Sequence, residues 1–195
     1  MKKKNSTAHQ KKVKLENKYL KDPKIKRIYL TFKKQLYSQI RNEKFCIGVS
    51  GGPDSLALTF LGKIFSKEFN TKFIALIVDH NLRKQSAAEA RKVKKILIKH
   101  KIRIKILNRK GKIPKSNIQF NARNIRYFLL NKECNKLNIK NLVLAHHEGD
   151  LIENFFIRLF RGSGLKGLSS LNIKRYSENN TLNLIRPLIN TKKNK

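Results

Sequence analysis

Apolar and polar positions along this chain fall into blocks that switch between two periods. Ile25, Ile28, Tyr29, Phe32, Leu36 and Ile40 recur at three- and four-residue spacing, which predicts a helix over about 25–41. Phe45 to Val49 is an unbroken, partly β-branched apolar run, as a buried parallel strand should be. A helix to about 66 follows, and then a second buried strand, Phe73 to Val78, ending in Asp79-His80-Asn81-Leu82-Arg83. Ser86 is expected to cap a helix running to about 100, with Glu89 three residues on completing a capping box. Ile102 to Leu107 alternates isoleucine with Arg and Lys, the pattern of an edge strand. Gly111 and Pro114 break the chain, a long helix is predicted over 117–137, and Leu142-Val143-Leu144-Ala145 forms a fourth strand. A further helix is expected over 149–160, before the glycine-rich Arg161-Gly162-Ser163-Gly164 and a short apolar piece at Leu182 to Ile185.

Strands separated by helices imply an α/β fold, a parallel sheet with helices on both faces. Ligands in such sheets bind outside the C-terminal strand ends, where the strand order reverses. Here those ends carry Ser50–Ser55, Asp79–Arg83 and His146–Asp150, so three polar clusters are expected on one edge.

Charge adds a partner class. The chain has 46 Lys plus Arg against 12 Asp plus Glu, a formal net charge of +34. Residues 1–24, read as a disordered basic arm, hold nine Lys and two acids, leaving 37 basic residues against 10 acids in the remainder. The excess is spread over the folded part, and a globule this basic attracts polyanions, above all nucleic acid. An AT-rich coding bias toward Lys, Asn and Ile is the bland source of the same excess. No apolar run approaches the roughly 20 residues that span a bilayer, and the Lys-rich N-terminus has no hydrophobic stretch to act as a secretory signal. Cys46 and Cys134 are far apart and make no CxxC pair, which favours a reducing, cytoplasm-like compartment, a bacterial cytoplasm or an organellar matrix or stroma, and gives no sign of a metal site.

The candidate chemistry begins after the first strand, at Ser50-Gly51-Gly52-Pro53-Asp54-Ser55. Two glycines allow a turn whose backbone comes close to a ligand. Pro53 suits the first helical position, where a missing N–H costs nothing. Main-chain N–H groups of Gly52, Asp54 and Ser55 then converge at a helix N-terminus, a natural anion site. The Gly-Lys-Ser/Thr ending of the usual nucleotide P-loop is absent. An ordinary capped Gly-Gly turn is the competing reading. After the fourth strand, Asp150, Glu153 and Asn154 share one helix face by the i, i+3, i+4 rule.

The Ser50–Ser55 hexapeptide resembles the Ser-Gly-Gly-x-Asp-Ser loop of the ATP pyrophosphatases. Together with Val78–Arg83, Ala122-Arg123-Asn124-Ile125-Arg126-Tyr127, His146-His147 with Asp150 and Glu153, Arg161-Gly162-Ser163-Gly164-Leu165-Lys166-Gly167-Leu168 and Ile185-Arg186-Pro187-Leu188, it resembles the tRNA(Ile)-lysidine synthase family from about 44 to 190. That resemblance implies a Rossmann-like fold of the HUP, adenine-nucleotide-hydrolase-like type, with a catalytic domain over 25–190 and a basic tail at 191–195. It implies an ATP-dependent ligase that joins L-lysine to carbon 2 of the wobble cytidine in a tRNA(Ile) with a CAU anticodon, through an adenylated tRNA, giving AMP and pyrophosphate. ATP would be held by Ser50, Gly51, Gly52, Pro53, Asp54, Ser55, Asp79 and His80, and Mg²⁺ by Asp54 and Asp150. Asp54, Asp150, Glu153 and Arg161 are the catalytic candidates, with metal holding, lysine binding and the base undivided between Asp150 and Glu153. Arg83, Arg123, Arg126 and Arg158 would neutralise phosphates or hold tRNA, Arg123 and Arg126 having a solvated helix face as their plain alternative.

Three departures from the family pattern stand out. Gly149 replaces the usual first Asp of an Asp-Asp pair, Gln119 stands where many relatives have Glu, and the C-terminal tRNA-binding domains that many relatives carry after the Arg-Pro-Leu block are expected to be absent. Two other readings follow: a non-catalytic tRNA-binding module, or a sister PP-loop enzyme such as a tRNA thiolase, which would want a CxxC pair or a catalytic cysteine.

Overall fold

A computed structural model describes residues 18–81, 85–109, 111, 116, 118–145, 174–176, 182–189 and 191. Four helices and six strands are seen among them: α1 (Pro23–Ile40), β1 (Phe45–Val49), α2 (Pro53–Glu68), β2 (Phe73–Asp79), α3 (Ser86–Lys99), β3 (Ile104–Asn108), α4 (Ile118–Lys136), β4 (Asn141–Leu144), β5 (Lys174–Tyr176) and β6 (Asn183–Ile185).

The strands form one sheet in the order β3-β2-β1-β4-β6-β5. The first five of these are parallel, with Ile47 opposite Ala75 on one side and Val143 on the other. β5 alone runs antiparallel, on β6. The chain builds outward from β1 to β3 and then returns to β4 on the other side of β1, so the strand order reverses between β1 and β4.

Strand alternation divides the core in two. Phe45, Ile47 and Val49 face α1, α2 and α3, packing with Phe32, Leu58, Phe65 and Leu97. Cys46, Leu76, Leu142 and Leu144 face the opposite layer, against Leu130 and Cys134 of α4. Helices therefore cover both faces, as the strand–helix alternation implies.

Several boundaries differ from the sequence reading, β3 starting at Ile104 rather than Ile102 among them, and three differences have a local reason. Inside the stretch read as a basic arm, Lys18–Lys21 form a 3-10 turn and α1 starts at Pro23. There the Asp22 carboxylate accepts from the N–H groups of Lys24 (2.7 Å) and Ile25 (3.3 Å), a cap hidden within a lysine-rich run. Ser86 is not the cap of α3. It lies inside the first turn, after Gln85, and its hydroxyl donates to Asp79 Oδ1 at 2.8 Å. The apolar piece at 182–185 is a full partner in the sheet, and β5 adds an antiparallel edge that no apolar pattern announces.

Candidate active site

Gly51 takes φ +90°, a backbone conformation that glycine adopts freely and other residues avoid. It turns the chain from β1 into α2, where Gly52 is the N-cap residue in extended geometry and Pro53 occupies the first helical position. Having no side chain, Gly52 cannot cap the first turn, so that turn presents its amide end at the strand edge. Ser55 braces the loop. Its hydroxyl accepts from the Ser50 N–H and the Ser50 hydroxyl, both at 3.2 Å, and donates to the Gly52 carbonyl at 2.9 Å. Ser55 is buried, and its own carbonyl accepts from Thr59 Oγ1 at 2.7 Å.

Beside this loop, at the β1–β4 reversal, a cavity of about 290 Å³ opens on the α4 side of the sheet. Its size is at the lower end of small-molecule pockets. The loop residues Ser50, Gly52, Asp54 and Ser55 form one wall, and Leu76, Val78, Leu130 and Leu144 form an apolar floor. Gly48 makes room for that floor, because a methyl group there would stand 2.7 Å from Leu144 Cδ2. Arg126 and Tyr127 of α4 close the far side, with His80 at the end of β2. Among the described residues, Asp54 is the one carboxylate lining this cavity.

His80 lies in a cationic setting. Burial holds its imidazole below the ordinary histidine pKa, the Arg126 charge adds to this, Asp79 opposes it, and Arg109 lowers it further. Its Nδ1 is buried without a hydrogen-bond partner among the described residues.

The expected site residues separate on inspection. Ser50, Gly52, Asp54, Ser55, His80 and Arg126 all line the cavity, with Gly51 and Pro53 shaping its loop. Asp79 turns away: its Oδ1 accepts from the Asn81 N–H at 2.9 Å as well as from Ser86, tying the β2–α3 connection together. Arg123 is exposed, with its guanidinium 5.4 Å from the centre of the Tyr127 ring, so it backs a cavity wall without lining the cavity. Arg83, His146, His147, Gly149, Asp150, Glu153, Arg158 and Arg161 lie outside the described residues, as do the helix expected over 149–160 and the side chain of Gln119. The sequence reading missed Gly48, Leu76, Val78, Leu130 and Leu144. Only Gly48 left a signal, a glycine inside a buried strand, which often marks close approach of another group.

The model of the PP-loop domain family matches residues 25–195. Curated relatives include the tRNA(Ile)-lysidine synthase of Orientia tsutsugamushi, 44% identical over 152 residues, covering 78% of this chain and 34% of that protein. The synthase of Rickettsia africae is 40% identical over 171 residues, covering 86% of this chain and 35% of the relative. The chain thus spans about a third of the length of these relatives. Among solved structures, a U34-tRNA thiolase from Methanococcus maripaludis superposes with a TM-score of 0.73 at 22% identity, over 87% of this chain and 60% of the thiolase. At that identity the likeness is one of fold.

Proposed function

The chain belongs to the PP-loop domain family, and on that premise we propose that it is the catalytic part of a tRNA(Ile)-lysidine synthase. The single observation that carries the reading is the Ser50–Ser55 loop, uncapped and facing a cavity at the strand reversal, in a chain 44% and 40% identical to two proteins of that name.

Oxygen 2 of a cytidine is a poor leaving group until ATP adenylates it, after which AMP can depart. Pyrophosphate leaves in the first step, so hydrogen-bond donors are needed at the β,γ-phosphates. The amide end of α2 offers them, and the apolar floor under Gly48 suits the adenine ring. Lysine must attack carbon 2 as a neutral amine, with its proton passed to an acceptor. Asp150 and Glu153 are proposed for that acidic pocket, and Arg161 for the developing phosphate charge. Arg126 and His80 face the same space and would orient the triphosphate, while Arg83, Arg123 and Arg158 would hold RNA phosphates.

Mg²⁺ fits the described donor set, since it favours one or two carboxylates completed by substrate phosphates and water, and one carboxylate lines the cavity. Asp54, joined by Asp150, would hold the ion, which when bound neutralises phosphate oxygens.

A thiolase reading loses a requirement here. Cys46 and Cys134 are both buried in the core between β1 and α4, and neither lines the cavity. The hydrogen bond to Cys134, then burial, push the Cys46 thiol far above its ordinary range, the opposite of an activated nucleophile.

The test is incubation of the native chain with ATP, Mg²⁺, L-lysine and a tRNA(Ile) transcript bearing CAU. Mass spectrometry of the digested tRNA should find lysine added to the wobble cytidine, and labelled nucleotide should appear as AMP. ADP as the main product would overturn the assignment, and tRNA binding without any modified nucleoside would favour a non-catalytic binding module.

A further inference from the structure

A second cavity, of about 650 Å³, lies on the other face of the sheet from the nucleotide cavity, between α3 and the edge strand β3. Its floor includes Ile104 and Ile106, both half-buried, and its walls include Arg91, Lys94 and Arg109. Arg91 and Lys94 are three residues apart on α3, exposed, and line the same groove. Lys105 also borders the groove, but its ammonium pairs with Glu133 of α4 on the opposite face at 2.6 Å. Among the described residues, the one acid in the lining is Asp79, whose carboxylate already accepts from Asn81 and Ser86. The groove is therefore cationic at its rim and apolar at its base. At the C-terminal end of β2, Asp79 lines the groove and the next residue, His80, lines the cavity on the other face of the sheet.

We propose that this α3–β3 groove is the track for the sugar–phosphate backbone of the RNA substrate, outside the nucleotide cavity. The proposal rests on the RNA-modifying reading given above. Arg91 and Lys94 contact successive phosphates, while Ile104 and Ile106 give an unstacked base an apolar surface. Single-stranded or loop RNA suits such a site because it combines a backbone that cations can follow with bases free to lie on apolar side chains. A strand serving both sites would cross the C-terminal edge of the sheet, where Asp79 and His80 follow one another at the end of β2.

The test compares the native chain with Arg91→Gln/Lys94→Gln and with a control pair on α1, Lys26→Gln/Lys34→Gln, each titrated with the CAU-bearing tRNA(Ile) transcript over a salt series. Removing two phosphate contacts should flatten the log affinity against log salt slope by roughly 1.4–1.8. Between about 50 and 200 mM salt, the groove variant should then lose about tenfold less affinity than the native chain. ATP binding without RNA should be unchanged in it. The control pair, also exposed, should leave the slope nearer the native value. Equal slopes for the groove variant and the control would overturn the proposal, as would competition by polyglutamate as effective as that by RNA of equal charge, which would mark an acidic protein segment as the occupant. Product formation by the native chain is read separately. Lysidine made with an unchanged slope in the groove variant sinks the groove alone, whereas a flattened slope with no product from the native chain sinks the functional reading alone.

Discussion

Gly62, in the middle of α2, lies so close to Ile47 of β1 that a methyl group on Gly62 would overlap the Ile47 Cδ1 atom and touch the Phe45 ring. That contact lets α2 lie low on the strand that precedes it, fixing the helix whose first turn faces the cavity. Gly62→Ala should therefore destabilise the fold by about 1–3 kcal/mol through overpacking, despite the better helix propensity of alanine. Ile47→Val removes the clashing carbon, so the double variant should melt above Gly62→Ala alone. Thermal unfolding of the three proteins decides this, and simple additivity of the two losses would count against the contact as the cause.

At the opposite edge of the sheet, a polar ladder ties three strand starts together. Asn141, almost fully buried, donates from Nδ2 to Glu43 Oε2 at 2.8 Å and accepts from Asn183 Nδ2 at 3.2 Å. Asn141→Ala leaves both partners short of a bond, so a loss of about 1–3 kcal/mol is expected in a denaturant melt. Asn141→Asp keeps the acceptor but sets a carboxylate against Glu43. It should regain stability as pH falls into the carboxylate range and the pair takes up a proton, and a pH-independent deficit would argue that the ladder is not the reason.

Much of this fold was legible because the buried strands are apolar runs and the helices carry stripes at the right period. Phe45–Val49 and Phe73–Val78 could be little else. The β5 strand, Lys174–Tyr176, could not be read, since a three-residue edge strand with two cations has no internal pattern and exists through its pairing with β6. In the site, the turn at Ser50–Ser55 was legible because its backbone needs dictate its residues. The floor was not: Leu76, Leu130 and Leu144 look like any other core positions until the topology sets them around Gly48. Asp79 shows a related ambiguity. A polar residue at a strand end can serve a ligand or its own loop, and Asp79 Oδ1 is taken up by Asn81 and Ser86.

His80 supplies a pH dependence with a definite sign. Its pKa is lowered in the folded chain, so below its ordinary value near 6.5 the unfolded chain takes up the proton more readily. Stability contributed by the neutral ring is present above that pH and is lost as pH falls through the folded pKa. His80→Gln should flatten the melting temperature against pH below about 6.5, down to the carboxylate range centred near 4.3. An unchanged slope in this window would assign the acid sensitivity to other groups.

Gly149 concerns the proposed chemistry rather than the described fold. If Asp150 and Glu153 suffice, the native chain forms lysidine and Gly149→Asp changes lysine or Mg²⁺ affinity only modestly. If the second carboxylate of the pair is required, the native chain binds ATP and tRNA without reaction, and Gly149→Asp restores the product. Mass spectrometry of the tRNA separates the two, and the first outcome is the one expected.

Asp54 allows the metal proposal to be tested by a change of sign. It stands in the first turn of α2 and lines the cavity, so its charge does two things at once. As an acid at a helix N-terminus it stabilises α2 by about 0.3–1 kcal/mol, and Asp54→Asn should lower the melting temperature only slightly. Toward a triphosphate a carboxylate is repulsive, and it becomes attractive only through a shared cation. Asp54→Asn should therefore bind ATP as well as or better than the native chain when Mg²⁺ is chelated. The gain in affinity that Mg²⁺ gives the native chain should then be largely absent from the variant. Calorimetric titrations with and without EDTA give both numbers. A variant weakened equally in the two conditions would mean that Asp54 serves the loop's shape, and the proposed metal site would lose its one described ligand.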